Sequence, residues 1–497
     1  MPNPVIIAGA GVTGLMLAYE LALRDVPVTV VEQLPEPTPA RPGMAINATV
    51  VDLLQQRGLM ESVGEHGFDF PAAHFAQLWL EPSRVPDLRQ YNYIVAQSDL
   101  ERVLAREAAG LGAEIRWGHE VVGFAQDDDV VPVRVRAAGA EHTLDGRFLV
   151  GCDGPGSTVR RLADIGFHGE DLPFRGIVGD VEVAEDSELL TFLGAREFVG
   201  GLLTAAPVVA GALRIMTAEF DVEPEDPAAP VSVDELRTCA HRLSGIDLGE
   251  VKPRWLRRWD SSTRQAERYR RRNVFLAGDA AHVHFPLGGQ SMSTGIEDAV
   301  NLGWKLAAAV HGEAPEHLLD SYHTERWPVG ERACQSTLAQ FRLLHPLDRL
   351  APLRRLMTEL IELDQVNEFL VNLVYGLDVR YPLEYESVAE PLHPLVGRRI
   401  SSVPLVGAAG ETSLAQLLQP GRGVVVEFRD DGGTTTRSAE WLDRVDVVTV
   451  KPSPWIDASL ILLRPDGRIA WAESADAAGG GADGLRAALT TWFGAGL

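Results

Sequence analysis

Three scarcities narrow the chemistry of this 497-residue chain before any motif is read. Cysteine occurs only as Cys152, Cys239 and Cys334, far apart and without a C-x-x-C pair, which excludes a disulfide framework, a cysteine zinc site and dithiol exchange. Lysine occurs only at positions 252, 305 and 451, and the 45 basic residues face 70 acidic ones, a formal charge of −25. Such a charge repels phosphate backbones and anionic lipid heads, so neither nucleic-acid nor membrane partners are expected. No apolar run reaches the roughly 18 residues of a membrane span. The apolar stretch 5–17 lacks a basic lead and is rich in glycine, unlike a signal-peptide core. A reducing cytoplasm is the expected location. What is present, 45% hydrophobic and 23% charged residues, is ordinary for a soluble globular protein, and the length implies roughly two or three domains.

Near the N-terminus, 5–8 reads as a buried strand, 15–23 as a helix and 28–31 as a second strand ending at Glu32. Between strand and helix lies Gly9-Ala10-Gly11-Val12-Thr13-Gly14. In this βαβ setting Gly9 permits the tight turn, Gly11 lets the backbone approach a pyrophosphate, and Gly14 lets helix and strand pack closely. The phosphates then sit at the helix N-terminus. Glu32 falls about 20 residues on, where a carboxylate accepts hydrogen bonds from an adenosine ribose and disfavours a 2′-phosphate. A dinucleotide is expected, and this motif alone does not separate FAD from NAD.

Two further segments have the same strand, turn and helix grammar. The run 148–161 enters a glycine turn at Gly151-Cys152-Asp153-Gly154, with Asp153 and Ser157 suited to cap the turn and the helix start. The run 273–277 is a strand whose C-terminal end delivers Asp279, where α/β sheets bind ligands and where a carboxylate can accept from a sugar-alcohol chain. Small residues at 285–289 admit a flat ring. A helix from 295 to 306 points its N-terminal dipole at the N1/O2 edge of a reduced flavin. His282-x-His284 suggests metal ligands, but no further histidine or cysteine lies at ligand spacing, and no metal is expected. Further on, β-rich runs fill 174–272, a long helical stretch covers 350–377, and Ser98-x-x-Glu101 reads as a capping box. After 393 the pattern restarts with strands at 423–428 and 445–450, a helix near 438–444 and a hairpin around Pro465-Asp466.

These segments together resemble the single-component FAD monooxygenases of the para-hydroxybenzoate hydroxylase type. Within them the chain looks most like the aromatic polyketide hydroxylases of actinobacterial antibiotic pathways. The resemblance rests on GAGVTG with Glu32, on Gln97-Ser98-Asp99-Leu100-Glu101, on GCDGPGSTVR from Gly151, on GDAAHVHFPLGGQ from Gly278 and on EDAVNLGWKLA from Glu297, and it covers nearly the whole chain. It implies an α/β fold with a Rossmann-like FAD-binding domain and helical extension (1–173 and 273–392). A β-sheet substrate domain (174–272) and a thioredoxin-like C-terminal domain lacking C-x-x-C (393–497) complete it.

FAD is the implied resident cofactor, NADPH or NADH a transient co-substrate, and molecular oxygen and a polycyclic aromatic small molecule the substrates. The chain would be a monomer or homodimer. The implied reaction is hydroxylation of an aromatic polyketide through a C4a-hydroperoxyflavin in antibiotic biosynthesis. Baeyer–Villiger or epoxidising oxygenation, antibiotic inactivation, and a non-catalytic drug-sequestering flavoprotein are the alternatives.

By the same resemblance Glu32 holds the adenosine ribose beside the cofactor-binding loop of Gly9, Gly11, Thr13 and Gly14, and Gln97 and the backbone at Val121 hold the pyrophosphate and adenine regions. Asp153 belongs to the second flavin segment, Asp279 holds the ribityl chain, and Pro286, Gly288, Gly289 and Met292 lie beside the isoalloxazine. No catalytic residue can be named; Arg41, Pro286, Ser291 and Ser293 are the flavin-proximal candidates. Family members usually read Gln-Gly-Met-Asn where this chain has Gln290-Ser291-Met292-Ser293, which restricts the backbone beside the ring. Many also carry an arginine just ahead of the helix near Val50, where Thr49 stands here. Arg41 either takes that place or is an ordinary surface arginine.

Overall fold

The computed structural model describes residues 3–496 apart from 127–128, 186, 210, 223–228, 260–261, 286, 288, 386–387, 389–390, 409, 430–437 and 475–481. Short, wholly buried strands rich in Val and Ile build the centre of its first sheet, as expected where helices cover both faces. The order is Arg270–Arg271, Val274–Leu276, Phe148–Gly151, Val5–Ala8, Val28–Glu32 and Glu114–Trp117. All neighbours run parallel except the edge pair at Arg270–Arg271. Helix Val12–Ala22 is buried almost all round because it is wedged between helices Gln97–Gly110 and Gln290–His311. Among the described residues no helix is long and apolar enough to cross a membrane.

A second sheet, antiparallel and five-stranded, runs in the order Gly194–Phe198, Gly201–Val209, Ala212–Phe220, Phe174–Val183 and Val251–Trp259. The period of two sorts its side chains. Leu203, Ala205, Leu213 and Ile215 pack with helix Val233–Ser244, while Leu202, Thr204, Met216 and Ala218 face a cavity on the other side. The C-terminal sheet is mixed. Gly423–Phe428 and Val445–Val450 are parallel, Leu460–Leu463 and Ile469–Glu473 add on antiparallel, and helix Ala482–Phe493 shares their hydrophobic cluster. This is the thioredoxin-like arrangement without its cysteines.

Four local expectations are corrected. The helix expected at 295–306 spans Gln290–His311, entered through Gly289 at φ 69°. Ser291, Ser293 and Thr294 hid its first turn, since such residues compete for backbone hydrogen bonds, and here Ser293 and Thr294 donate to the carbonyls of Gly289 and Gln290 within the helix. The stretch 350–377 is two helices, Leu347–Ile361 and Asp364–Tyr375. Arg84 holds the break, donating to the Glu362 carbonyl (2.7 Å) and to Asp364 (Nε, 3.0 Å). The helix near 438–444 is only the short turn Ala439–Trp441. Finally, helix Gln97–Gly110 starts at Gln97 behind Ala96 with no side-chain cap, so Ser98 and Glu101 form no capping box.

Candidate active site

The three glycines of the first loop have different tasks. A Cβ on Gly9 would lie 2.3 Å from the Cys152 carbonyl oxygen, and one on Gly14 would lie 2.0 Å from the Gly9 carbonyl oxygen, so both are fixed by packing. Around Gly11 the nearest atom to such a Cβ is Glu101 Oε1 at 3.9 Å, and no side chain caps the helix that starts there. An open backbone at an uncapped helix N-terminus is a seat for phosphate. Glu32 accepts from the N–H of Ala10 (2.8 Å) and of Leu34 (2.9 Å), which sets the loop while leaving lone pairs for a ribose. Thr13 is wedged against Gly278 and Gly295, where a Cβ would come within 2.4 and 2.3 Å of its hydroxyl. It joins the first segment to the third.

Beside Gly11 lies a small buried relay. Gln97 accepts from the Gly43 N–H (3.1 Å) and donates to Glu101 (2.8 Å), and Arg41 Nε donates to the other Glu101 oxygen (3.0 Å). Burial raises the Glu101 carboxyl above its ordinary pKa, with Arg41 opposing. Arg41 is therefore a partly buried, ion-paired side chain rather than an ordinary surface arginine. Val121 is buried in strand His119–Phe124 opposite Val135. Asp153 accepts from the Ser157 hydroxyl (2.5 Å) and from the N–H groups of Thr158 (2.7 Å) and Val159 (3.0 Å). Its carboxylate is spent on the start of helix Thr158–Leu162, the capping use expected of it.

Asp279 follows strand Val274–Leu276 in a short turn. It is open to solvent, yet surrounding protein desolvates its carboxyl enough to raise its pKa, a combination found at the floor of a cleft. Next to it the first turn of helix Gln290–His311 points into a cavity of about 210 Å³, lined there by Gly289, Gln290, Ser291 and Met292. Pro286 and Gly288, also expected here, lie outside the described residues. Ser291 donates to Asp279 (3.3 Å). Ser293 points away: its hydroxyl accepts from the Asn47 N–H (2.9 Å), donates to the Gly289 carbonyl (2.9 Å) and is fully buried. Thr49 lies inside helix Ala48–Gln56 rather than ahead of it, and donates to the Tyr375 carbonyl (2.8 Å).

The rest of the cavity is largely apolar, with Met44, Ile94, Leu202, Met216, Trp259 and Phe285 on its walls and His74, Gln77 and Asn92 among them. Among the described residues no Asp, Glu, Lys or Arg lines it, and the one histidine there, His74, is held neutral because desolvation lowers its pKa to about 4.

Comparison with known proteins places this geometry. Residues 3–337 match the family model described as FAD binding domain, and 393–496 match that described as aromatic-ring hydroxylase, C-terminal. The chain belongs to the FAD-dependent aromatic-ring hydroxylases. It is 46% identical over 99% of both chains to a dialkyldecalin synthase of Streptomyces rugosporus. It is 40% identical to a rifampicin monooxygenase of Streptomyces venezuelae, covering 99% of this chain and 98% of that one. Among solved structures, the Diels-Alderase PyrE3 of pyrroindomycin biosynthesis superposes with a TM-score of 0.89 at 44% identity, covering 99% of each chain.

FAD is the cofactor of this hydroxylase family, and the open approach at Gly11, the carboxylate at the end of the second strand and the cleft carboxylate of Asp279 fit it. NADPH is the family's usual co-substrate. The family segment EDAVNLGWKLA, however, faces away from the flavin cleft. Asp298 accepts from the Gly278 N–H (3.1 Å), bonds His282 Nε2 (2.7 Å) and pairs with Arg326 (2.6 Å). Burial would raise its pKa, but Arg326 and His282 outweigh this and hold it low. His282 is thereby engaged by a carboxylate rather than paired with His284.

Glu297 faces Arg326 (3.3 Å) and Arg468 (3.4 Å). Lys305 and Arg464 both bind Glu325 (2.8 and 2.6 Å), and Asp466 pairs with Arg464. Arg464, Asp466 and Arg468 belong to the C-terminal hairpin, so this segment is the joint on which the last domain seats. Sequence reading missed it. Two signals were available: Glu297, Asn301 and Lys305 share one helix face at i, i+4, i+8, and Lys305 is one of only three lysines.

Proposed function

We propose that this chain binds FAD and uses the cavity to fold a neutral, largely apolar polyketide for carbon-ring closure without net oxidation. The carrying observation is that, among the described residues, no Asp, Glu, Lys or Arg lines the cavity and its histidine, His74, is held neutral. Hydroxylation of a phenol gains from a cation that holds the phenolate, and none lines the cavity among the described residues. Joining a diene to an alkene needs no proton transfer. It needs the two ends held together, and in general pre-paid orientation can supply about 7–11 kcal/mol of a barrier.

The apolar walls do this by burying a folded chain and excluding water. Gly11, Glu32, Gln97 and Asp279 would hold FAD, which supplies redox chemistry in the family's monooxygenases; ring closure passes no electron through it. Ser291, where the family keeps glycine, ties the helix start to Asp279 and stiffens the cleft wall. Identity to the dialkyldecalin synthase supports the reading.

A second reading, NADPH- and oxygen-dependent hydroxylation of a polycyclic aromatic polyketide, is favoured by the complete dinucleotide site and by the identity to rifampicin monooxygenase. One experiment separates them. FAD-loaded protein is given a linear polyketide bearing a conjugated diene and an alkene, with and without NADPH and air. A ring-closed isomer of unchanged mass, formed equally well without NADPH or oxygen, is expected. A product heavier by one oxygen atom and formed only with NADPH transfers the conclusion to oxygenation.

A further inference from the structure

We propose that the tight turn at Ala76-Gln77 builds a polar subsite in the cavity, in which His74, Gln77 and Asn92 read a neutral carbonyl and hydroxyl on the substrate. The proposal rests on the cavity being the substrate site and adds what it selects.

Strands Ala73–Phe75 and Leu78–Leu80 pair with Phe75 opposite Leu78, leaving two residues for the turn, both at positive φ, 53° for Ala76 and 62° for Gln77. That geometry favours Asn-Gly, and with a Cβ at both positions it is strained. Buried partners hold it in place. The Ala76 N–H donates to Gln340 (3.1 Å), and its carbonyl accepts from Arg354 (3.0 Å), which also binds Glu197 (2.6 Å) and the Leu343 carbonyl (3.1 Å). At the far end of the hairpin Asn367 bonds both the N–H and the carbonyl of Glu81 (2.8 and 2.9 Å). Side chains from two helices are thus committed to keeping a strained turn.

The turn leaves open polar groups in an apolar cavity. The Gln77 N–H donates to His74 Nδ1 (3.4 Å), which assigns the proton of this neutral imidazole to Nε2. Neither His74 Nε2 nor the Gln77 amide meets a protein partner among the described residues, and both side chains line the cavity. Asn92 lines it too. Its Nδ2 reaches the Ala72 carbonyl at 3.5 Å, but its Oδ1 is buried without a partner, in a residue only 8% exposed. Buried acceptors are normally satisfied, so an unpaired one on a residue that lines a cavity points to a ligand donor. Together the groups offer an N–H donor, an amide of both kinds and a carbonyl acceptor, complementary to a carbonyl with a nearby hydroxyl. With no cation among the described lining residues, a carboxylate or phosphate would be left unpaired.

The test uses two probes of one shape, 6-hydroxy-2-acetylnaphthalene and 2-ethylnaphthalene, in equilibrium dialysis against the FAD-loaded protein. The hydroxyketone is expected to bind about 10-fold more tightly. His74→Phe and Asn92→Leu should abolish that preference while keeping 2-ethylnaphthalene binding. Gln77→Gly, which relieves the strain, should raise Tm while reducing the preference, so a folding defect cannot mimic the result. A preference unchanged in all three variants, or equal binding of both probes to the unmodified protein, overturns the subsite alone. If neither probe binds the unmodified protein, the substrate cavity falls, and the subsite with it.

Discussion

The joint beneath the C-terminal domain and the cavity beside the flavin cleft are both buried, and they treat polar groups in opposite ways. In the joint, four carboxylates and four bases (Glu297, Asp298, Glu325 and Asp466 with Lys305, Arg326, Arg464 and Arg468) each have an opposite charge within reach. Among the described residues the cavity lining carries no charge, and Asn92 Oδ1 and Gln290 Nε2 are buried without partners. Pairing fixes one arrangement, because each charge makes moving its partner expensive. Open polar atoms in an apolar space do the reverse and await a group from outside. The contrast separates what holds this protein together from what it offers a ligand.

The sharpest way to break the contrast is Glu325→Gln. It leaves Lys305 and Arg464 short of a buried countercharge, and about 3–5 kcal/mol of stability should be lost, read as a lower urea midpoint. Acid should do the same more gradually. Burial would raise the Glu325 carboxyl, but Arg464 and Lys305 outweigh it and bring its pKa from 4.5 to about 2. Between those values the unfolded chain holds the proton and the folded one does not, so stability is full above this window and falls as pH drops through it. Tm measured against pH should show this decline, and Glu325→Gln should flatten it; a parallel decline in the variant would remove Glu325 as its source.

Ser291→Gly restores the family residue at the cleft wall. Substrate-free NADPH oxidation should rise about tenfold, equivalent to ~1.4 kcal/mol on a barrier, if the tie to Asp279 restrains redox chemistry. An unaltered rate would return Ser291 to a tolerated substitution. The smallest effect is expected from Asn92→Leu in the ligand-free protein, below about 1 kcal/mol, since the change removes an unpaired acceptor and one long hydrogen bond. A loss as large as that of Glu325→Gln would erase the distinction between the two regions.

The positions that sequence reading located best are those set by neighbours in the chain. Val5–Ala8, Gly9, Gly14 and Glu32 announce themselves because a parallel strand, a turn and a packed helix demand those residue types in that order. Ser157 and Asp153 were legible as caps for the same reason. The segment from Glu297 was recognised as a family feature but given no partners, since Glu325, Arg464 and Arg468 come from other parts of the chain. The turn at Ala76-Gln77 carried no Asn-Gly signal, because its conformation is imposed by Gln340 and Arg354.

By itself the sequence determined an FAD-dependent α/β protein of the aromatic-ring hydroxylase family. Backbone demands on glycine and strand periodicity are local and survive without knowledge of the fold. Tertiary structure alone decided that Arg41 pairs with Glu101, that Ser293 turns away from the cavity while Ser291 lines it, and that the described cavity lining carries no charge. Those outcomes depend on which distant side chains share a small volume after desolvation, and no run of neighbouring residues encodes that.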